Sequence, residues 1–227
     1  MTRITKHLVN LQQRISSACA AAGRNENEVS VLAVSKRHGP AAVAEAWAAG
    51  LPAMGENYVQ EALAKMPLCP PEVVWHFIGR LQSNKTRAVA KHFGWVQTVT
   101  SLKLAERLNA QRPAELAPLN VCVQVQTDST GQHGGIAPAS AAALCAAIHE
   151  LPNLRLRGLM TIPAAERTLA AQRIPLRACA EVYRDLQQAG LPLDTLSMGM
   201  SGDLEAAILE GSTLLRIGTA IFGPRTA

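Results

Sequence analysis

Val31-Leu32-Ala33-Val34-Ser35-Lys36 is a short apolar run closed by one lysine, with Gly39-Pro40 just beyond it. Aliphatic and β-branched residues bounded by turn residues predict a buried strand. Lys36 then stands at the strand's carboxyl end. An amine at the mouth of an apolar core is a candidate Schiff-base nucleophile, because partial burial favours its uncharged form.

Runs of the same kind recur along the chain. Strands are predicted at about 31–35, 53–54, 73–78, 95–99, 119–125, 156–160, 194–197 and 213–217. Helical stretches fall between them, near 40–49, 57–66, 83–92, 101–111, 138–149, 171–189 and 202–210. Gly50, Gly94, Gly190 and Gly211 punctuate helix ends. Ahead of the first strand, Ile4, Leu8, Leu11, Ile15 and Cys19 recur at helical spacing, with Thr2 as N-cap and Gly23 as stop. Strict strand–helix alternation implies parallel strands joined by crossover helices, and eight such units close into a (β/α)8 TIM barrel. An open doubly wound sheet is the runner-up, weakened by the lack of a G-x-G-x-x-G after the first strand. The expectation is one domain over 1–227, with an extra N-terminal helix over 1–23 and the barrel over 29–225.

Composition narrows the function. Of 227 residues, 48% are apolar and 4% aromatic, which suits an α/β core of Ala, Leu, Val and Ile. The formal charge is +5, but the basic residues are scattered without aromatic interleaving, so a solvated surface is expected rather than a nucleic-acid groove. Five cysteines show no C-x-x-C spacing, and the odd count suits a reducing compartment. The start lacks the apolar stretch of a signal peptide, and no run spans a bilayer. A cytoplasmic protein without membrane contact is expected. His76, His92 and His133 lack metal-ligand spacing, so no metal site is expected.

The polar residues of interest follow strand ends, which converge on the mouth of a barrel. Lys36 follows strand one, and Gly55-Glu56-Asn57-Tyr58 closes strand two. Strand three runs into His76-Phe77-Ile78-Gly79-Arg80. Met198-Gly199-Met200-Ser201-Gly202-Asp203 follows strand seven, and Arg216-Ile217-Gly218-Thr219 ends strand eight. Ser201 and Gly218-Thr219 each open a helix and offer amides and hydroxyls to an anion. Each alone reads as an ordinary cap or turn; together, at the two strand ends where barrels hold phosphates, they read as an anion site. Arg216 within a strand needs an acceptor: either an ion pair in the barrel mouth or a ring nitrogen. An arginine there leaves a pyridine nitrogen unprotonated and the ring a poor electron sink. His76 reads equally as a core histidine, and Glu56 and Asn57 as the cap of the next helix.

With these blocks in place, the chain resembles the pyridoxal 5'-phosphate homeostasis protein family. The likeness is carried by Leu32-Ala33-Val34-Ser35-Lys36, Gly55-Glu56-Asn57-Tyr58-Val59-Gln60-Glu61 and Trp75-His76-Phe77-Ile78-Gly79-Arg80-Leu81-Gln82-Ser83-Asn84-Lys85. It continues in Arg157-Gly158-Leu159-Met160-Thr161-Ile162-Pro163 and Leu196-Ser197-Met198-Gly199-Met200-Ser201-Gly202-Asp203, and ends in Arg216-Ile217-Gly218-Thr219-Ala220-Ile221-Phe222-Gly223. The resemblance implies a single-domain barrel like the N-terminal domain of alanine racemase, a fold type III pyridoxal-phosphate protein. It implies an internal aldimine on Lys36, a phosphate held by Ser201, Gly218 and Thr219, and Arg216 facing the pyridine nitrogen. Asn57, His76 and Met200 match positions lining the cofactor. One block departs: Gln126 and His133 stand where the family usually has an Asn and a Lys, so no second lysine is carried over to that loop.

The resemblance favours a non-catalytic carrier of pyridoxal 5'-phosphate that buffers the cofactor inside the cell and hands it to apo pyridoxal-phosphate enzymes. The alternative is an amino-acid racemase. Two-base racemisation needs an acid on each ring face, and of the two tyrosines only Tyr58 lies near a strand end. A cofactor-free Schiff-base aldolase leaves the two anion turns unexplained. A monomer is expected.

Overall fold

The computed structural model describes residues 2–223, and the barrel boundary expected at 225 lies outside them. Eight parallel strands close in sequence order, β1 next to β2 and so on round to β8 against β1. They are β1 (Ser30–Val34), β2 (Ala53–Glu56), β3 (Val74–Phe77), β4 (Trp95–Val99), β5 (Leu119–Gln124), β6 (Leu154–Met160), β7 (Thr195–Ser197) and β8 (Leu214–Ile217). Every strand expected from the sequence is present, and the open-sheet alternative is excluded by closure.

Helix α1 (Arg3–Ala22) precedes the barrel, with the Thr2 hydroxyl accepting from the Thr5 amide and Gly23 closing it at φ 64°. The others are α2 (Pro40–Ala48), α3 (Val59–Lys65), α4 (Thr86–His92), α5 (Leu102–Gln111), α6 (Ala141–His149), α7 (Leu169–Gln188), α8 (Leu204–Leu209) and α9 (Thr219–Phe222). Among the described residues no helix is long and apolar enough to cross a membrane.

Strand alternation sorts side chains between two compartments. Ala33, Leu215 and Ile217 face outward into the main core between strands and helices, with Met54, Phe77, Val121, Val123 and Leu196. Leu32, Val34, Ile78 and Leu214 form a separate small cluster. Polar side chains of the strands are buried too, among them His76, Gln97, Ser197 and Arg216. At β6 the register against β5 shifts between Val121 and Cys122. Arg157 is the residue left unpaired there, and Gly158 beside it packs so closely on β7 that a Cβ would overlap the Thr195 carbonyl oxygen.

Candidate functional site

A cavity of about 240 Å³ opens at the carboxyl ends of the strands. Seven of the residues expected at a site line it together: Lys36, Asn57, Met200, Ser201, Arg216, Gly218 and Thr219. They come from four strand ends, β1, β2, β7 and β8, and meet only because the sheet closes.

Lys36 is half-buried and lies within a tight turn that the His38 amide closes by donating to the Ser35 carbonyl. Asn57 is fixed by close approach of the next loop, because a Cβ on Gly79 would overlap the Asn57 carbonyl oxygen. The buried Oδ1 of Asn57 has no hydrogen-bond partner in the protein. The Ser201 hydroxyl accepts from the Ala220 amide at 3.2 Å, tying the turn after β7 to the turn after β8.

Arg216 is 3% exposed and makes its hydrogen bonds to neutral oxygens: Nη1 donates to Ser197 Oγ at 2.9 Å and Nη2 to the Thr161 carbonyl at 2.8 Å. Burial lowers its pKa to about 10, which leaves it a cation at neutral pH. The ion pair considered from the sequence is not made directly. Asp203 stabilises the charge through space while its Oδ1 accepts from the Met200 amide.

His76, matched through the resemblance to a position lining the cofactor, is not among the residues that line this cavity. His76 borders a different cavity, lined also by Trp95, Arg157 and Asp194. It lies two residues before Ile78, which does line the mouth. Residues two apart on a strand share a face but sit in successive layers, so His76 lies a layer deeper. Its ring stacks on Trp95 at 4.8 Å, and the Arg157 guanidinium lies 4.6 Å from the Trp95 ring. Burial, with the Arg157 charge adding, holds its pKa down to about 3, so the ring is neutral. It still connects to the mouth: Gln97 Nε2 donates to His76 Nδ1 at 2.9 Å, and Ser197 Oγ donates to Gln97 Oε1 at 2.7 Å.

Several mouth residues were not singled out from the sequence. Ile78 and Ile162 line the cavity and stand just beyond β3 and β6, so position alone could have found them. His38 and Gly223 also line it. The His38 ring stacks on Phe222 at 4.7 Å, a pairing of the loop after β1 with α9 that no local pattern announces. The tyrosines lie elsewhere: Tyr58 is exposed ahead of α3, and Tyr183 is buried on α7, where its hydroxyl accepts from Gln187. In the loop after β5, Gln126 Nε2 donates to the Asp128 carbonyl and His133 is exposed. Among the described residues no group of three or more His, Cys, Asp or Glu is placed to hold a metal.

The chemistry available is an amine, a buried cation held by neutral oxygens, an unsatisfied amide oxygen and two amide-bearing turns. These fit an aldehyde-bearing heterocycle with an anionic tail.

Residues 7–226 match the family described as alanine racemase, N-terminal domain. A pyridoxal phosphate homeostasis protein of Pseudomonas aeruginosa is 53% identical over 99% of this chain and 97% of its own length. PipY of Synechococcus elongatus, solved with PLP bound, is 36% identical with a TM-score of 0.84, covering 97% of this chain and all of that one. An alanine racemase of Clostridium difficile shares the fold at a TM-score of 0.73 and 16% identity, over 97% of this chain and 58% of that enzyme. The chain belongs to the pyridoxal phosphate homeostasis protein family, within the wider family of alanine racemase N-terminal domains.

Proposed function

We propose that this chain binds pyridoxal 5'-phosphate at the barrel mouth without turning over a substrate, and serves intracellular homeostasis of that cofactor. Lys36 holds the aldehyde as an internal aldimine. The turns at Ser201 and Gly218-Thr219 hold the phosphate through amides and hydroxyls. Arg216 faces the pyridine nitrogen, and Asn57 and Met200 flank the ring. The observation that carries this reading is the convergence of Lys36, Arg216 and both amide-bearing turns on one cavity.

When bound, the cofactor supplies an electrophilic carbon and a ring that can delocalise charge. Arg216 limits the second property. A guanidinium with a pKa of about 10 does not give its proton to a pyridine nitrogen, so the ring stays a weak electron sink. Neither tyrosine lines the cavity, which further supports a carrier over a two-base racemase. Among the described residues, the ionisable side chains that line it are Lys36, His38 and Arg216.

Purified protein should show an absorption band near ~420 nm, and borohydride should fix the label on Lys36 by peptide mapping. A label on another residue, or none, overturns the assignment. Exchange of an amino acid's α-proton in deuterated water, faster than with cofactor alone, favours the racemase reading. Cofactor transfer to an apo enzyme at the rate of free diffusion reduces delivery to buffering.

A further inference from the structure

Beneath Lys36 lies a charged cluster that the cavity does not use. Glu56 is fully buried and Lys65 is 5% exposed, and their ion pair is 2.7 Å long. Lys65 Nζ also donates to the Ser35 carbonyl at 2.9 Å and to Glu61 Oε1 at 3.2 Å. The Ser35 hydroxyl donates to Glu56 Oε1 at 2.6 Å. The Arg37 amide donates to Glu61 Oε1. Glu56, Glu61 and Lys65 do not line the mouth cavity.

A buried ion pair is a poor stabiliser, since packed apolar side chains of equal volume do as well or better. The cost here is visible: burial raises the Glu56 pKa against the pull of Lys65 and Ser35, and Glu56 Oε2 has no hydrogen-bond partner. What the cluster does hold is main chain. It grips the carbonyl and hydroxyl of the residue before Lys36 and the amide of the residue after it. That second residue, Arg37, has φ 64°, a backbone region that a residue with a side chain rarely adopts. Such a conformation persists only where its surroundings enforce it.

We infer that Glu56, Glu61 and Lys65 are positioning residues that lock the Ser35–Arg37 turn and so aim the Lys36 amine into the mouth. The inference rests on the proposed binding of pyridoxal 5'-phosphate. In the step it serves, the neutral Lys36 amine would form a C=N double bond to the aldehyde carbon as the C=O bond breaks. The aldehyde oxygen leaves as water with both amine protons, and no oxidant or reductant is required. A turn that wanders slows this step without altering the grip on ring and phosphate.

The test compares two ligands: pyridoxal 5'-phosphate, and 4-deoxypyridoxine 5'-phosphate, which has the same ring and phosphate but no aldehyde. In Glu61→Ala the rate of covalent capture, read by absorbance and by borohydride-fixed label on Lys36, should fall on the order of tenfold or more. Affinity for the deoxy ligand should hold. Glu61→Gln keeps an oxygen for the Arg37 amide and should recover most of the rate. Lys65→Met should resemble Glu61→Ala; if it does not fold, the Glu61 pair, at a half-buried position on α3, decides alone. Equal losses for both ligands, no loss for either, or no recovery with glutamine overturns the inference. Failure of the unmutated protein to capture the aldehyde overturns the binding proposal instead.

Discussion

Arg14, in the middle of α1, reaches the main-chain carbonyl of Ser201 with Nη2 at 3.0 Å. The same guanidinium grips Glu205 of α8 at 2.7 and 2.8 Å. Nearer the helix start, His7 Nδ1 bonds the Ile221 carbonyl at 2.8 Å and Arg3 Nη2 donates to the Phe222 carbonyl at 3.2 Å. The extra helix is therefore a strut behind both proposed phosphate turns. Its ion pair is partly exposed and screened, so the main-chain bond matters more than the charge. Arg14→Ala should weaken pyridoxal 5'-phosphate binding by about 1 kcal/mol, roughly fivefold. Pyridoxal, which lacks the phosphate, should lose much less. Calorimetric titration of both ligands measures the contrast, and equal losses would argue against the strut.

The chain Arg216–Ser197–Gln97–His76 is buried and satisfied along its length. Gln97→Leu strips partners from Ser197 and from His76 together. A buried donor or acceptor left unmatched costs about 1–3 kcal/mol. A loss on the order of 3 kcal/mol in urea denaturation is expected, with a shifted absorption band as Arg216 loses its brace.

His76 also sets an acid limit. Its pKa falls from about 6.5 in the unfolded chain to about 3 in the folded one. Between those values the unfolded chain takes a proton that the native protein refuses. Its share of stability is full above about 6.5, drains away as pH falls, and levels off below about 3. The slope in that window is on the order of 1.4 kcal/mol per pH unit. His76→Asn, which keeps an acceptor for Gln97, should flatten that part of the stability–pH curve. An unchanged slope in denaturation at several pH values would place the acid sensitivity elsewhere.

Gly79→Ala tests how Asn57 is held. The added methyl would overlap the Asn57 carbonyl oxygen, so the two loops must part. A loss of about 3 kcal/mol in thermal unfolding is expected, with weaker cofactor binding.

The architecture was readable because each strand ends in turn residues and each helix has its own period. Depth was not readable. Strand alternation assigns His76 to a face but cannot say which layer it occupies, and that layer separates it from the mouth. Lys65 carries no local mark either. It ends an amphipathic stretch like any solvated lysine, and its burial follows from Glu56 on β2, nine residues earlier and on a different element. Lys36 was legible because an amine at the end of an apolar run has few structural excuses. The role of α1 was hidden because its partners are main-chain carbonyls about two hundred residues away, which have no side-chain signature.

The two hydrophobic compartments divide the work. The annulus between strands and helices supplies cohesion, while only Leu32, Val34, Ile78 and Leu214 make up the small second cluster. The lumen is thus a furnished room inside a load-carrying wall. Positions 76, 97, 197 and 216 form one hydrogen-bonded set inside that wall, so a change at any one of them is felt by its neighbours in the set before it is felt by the wall.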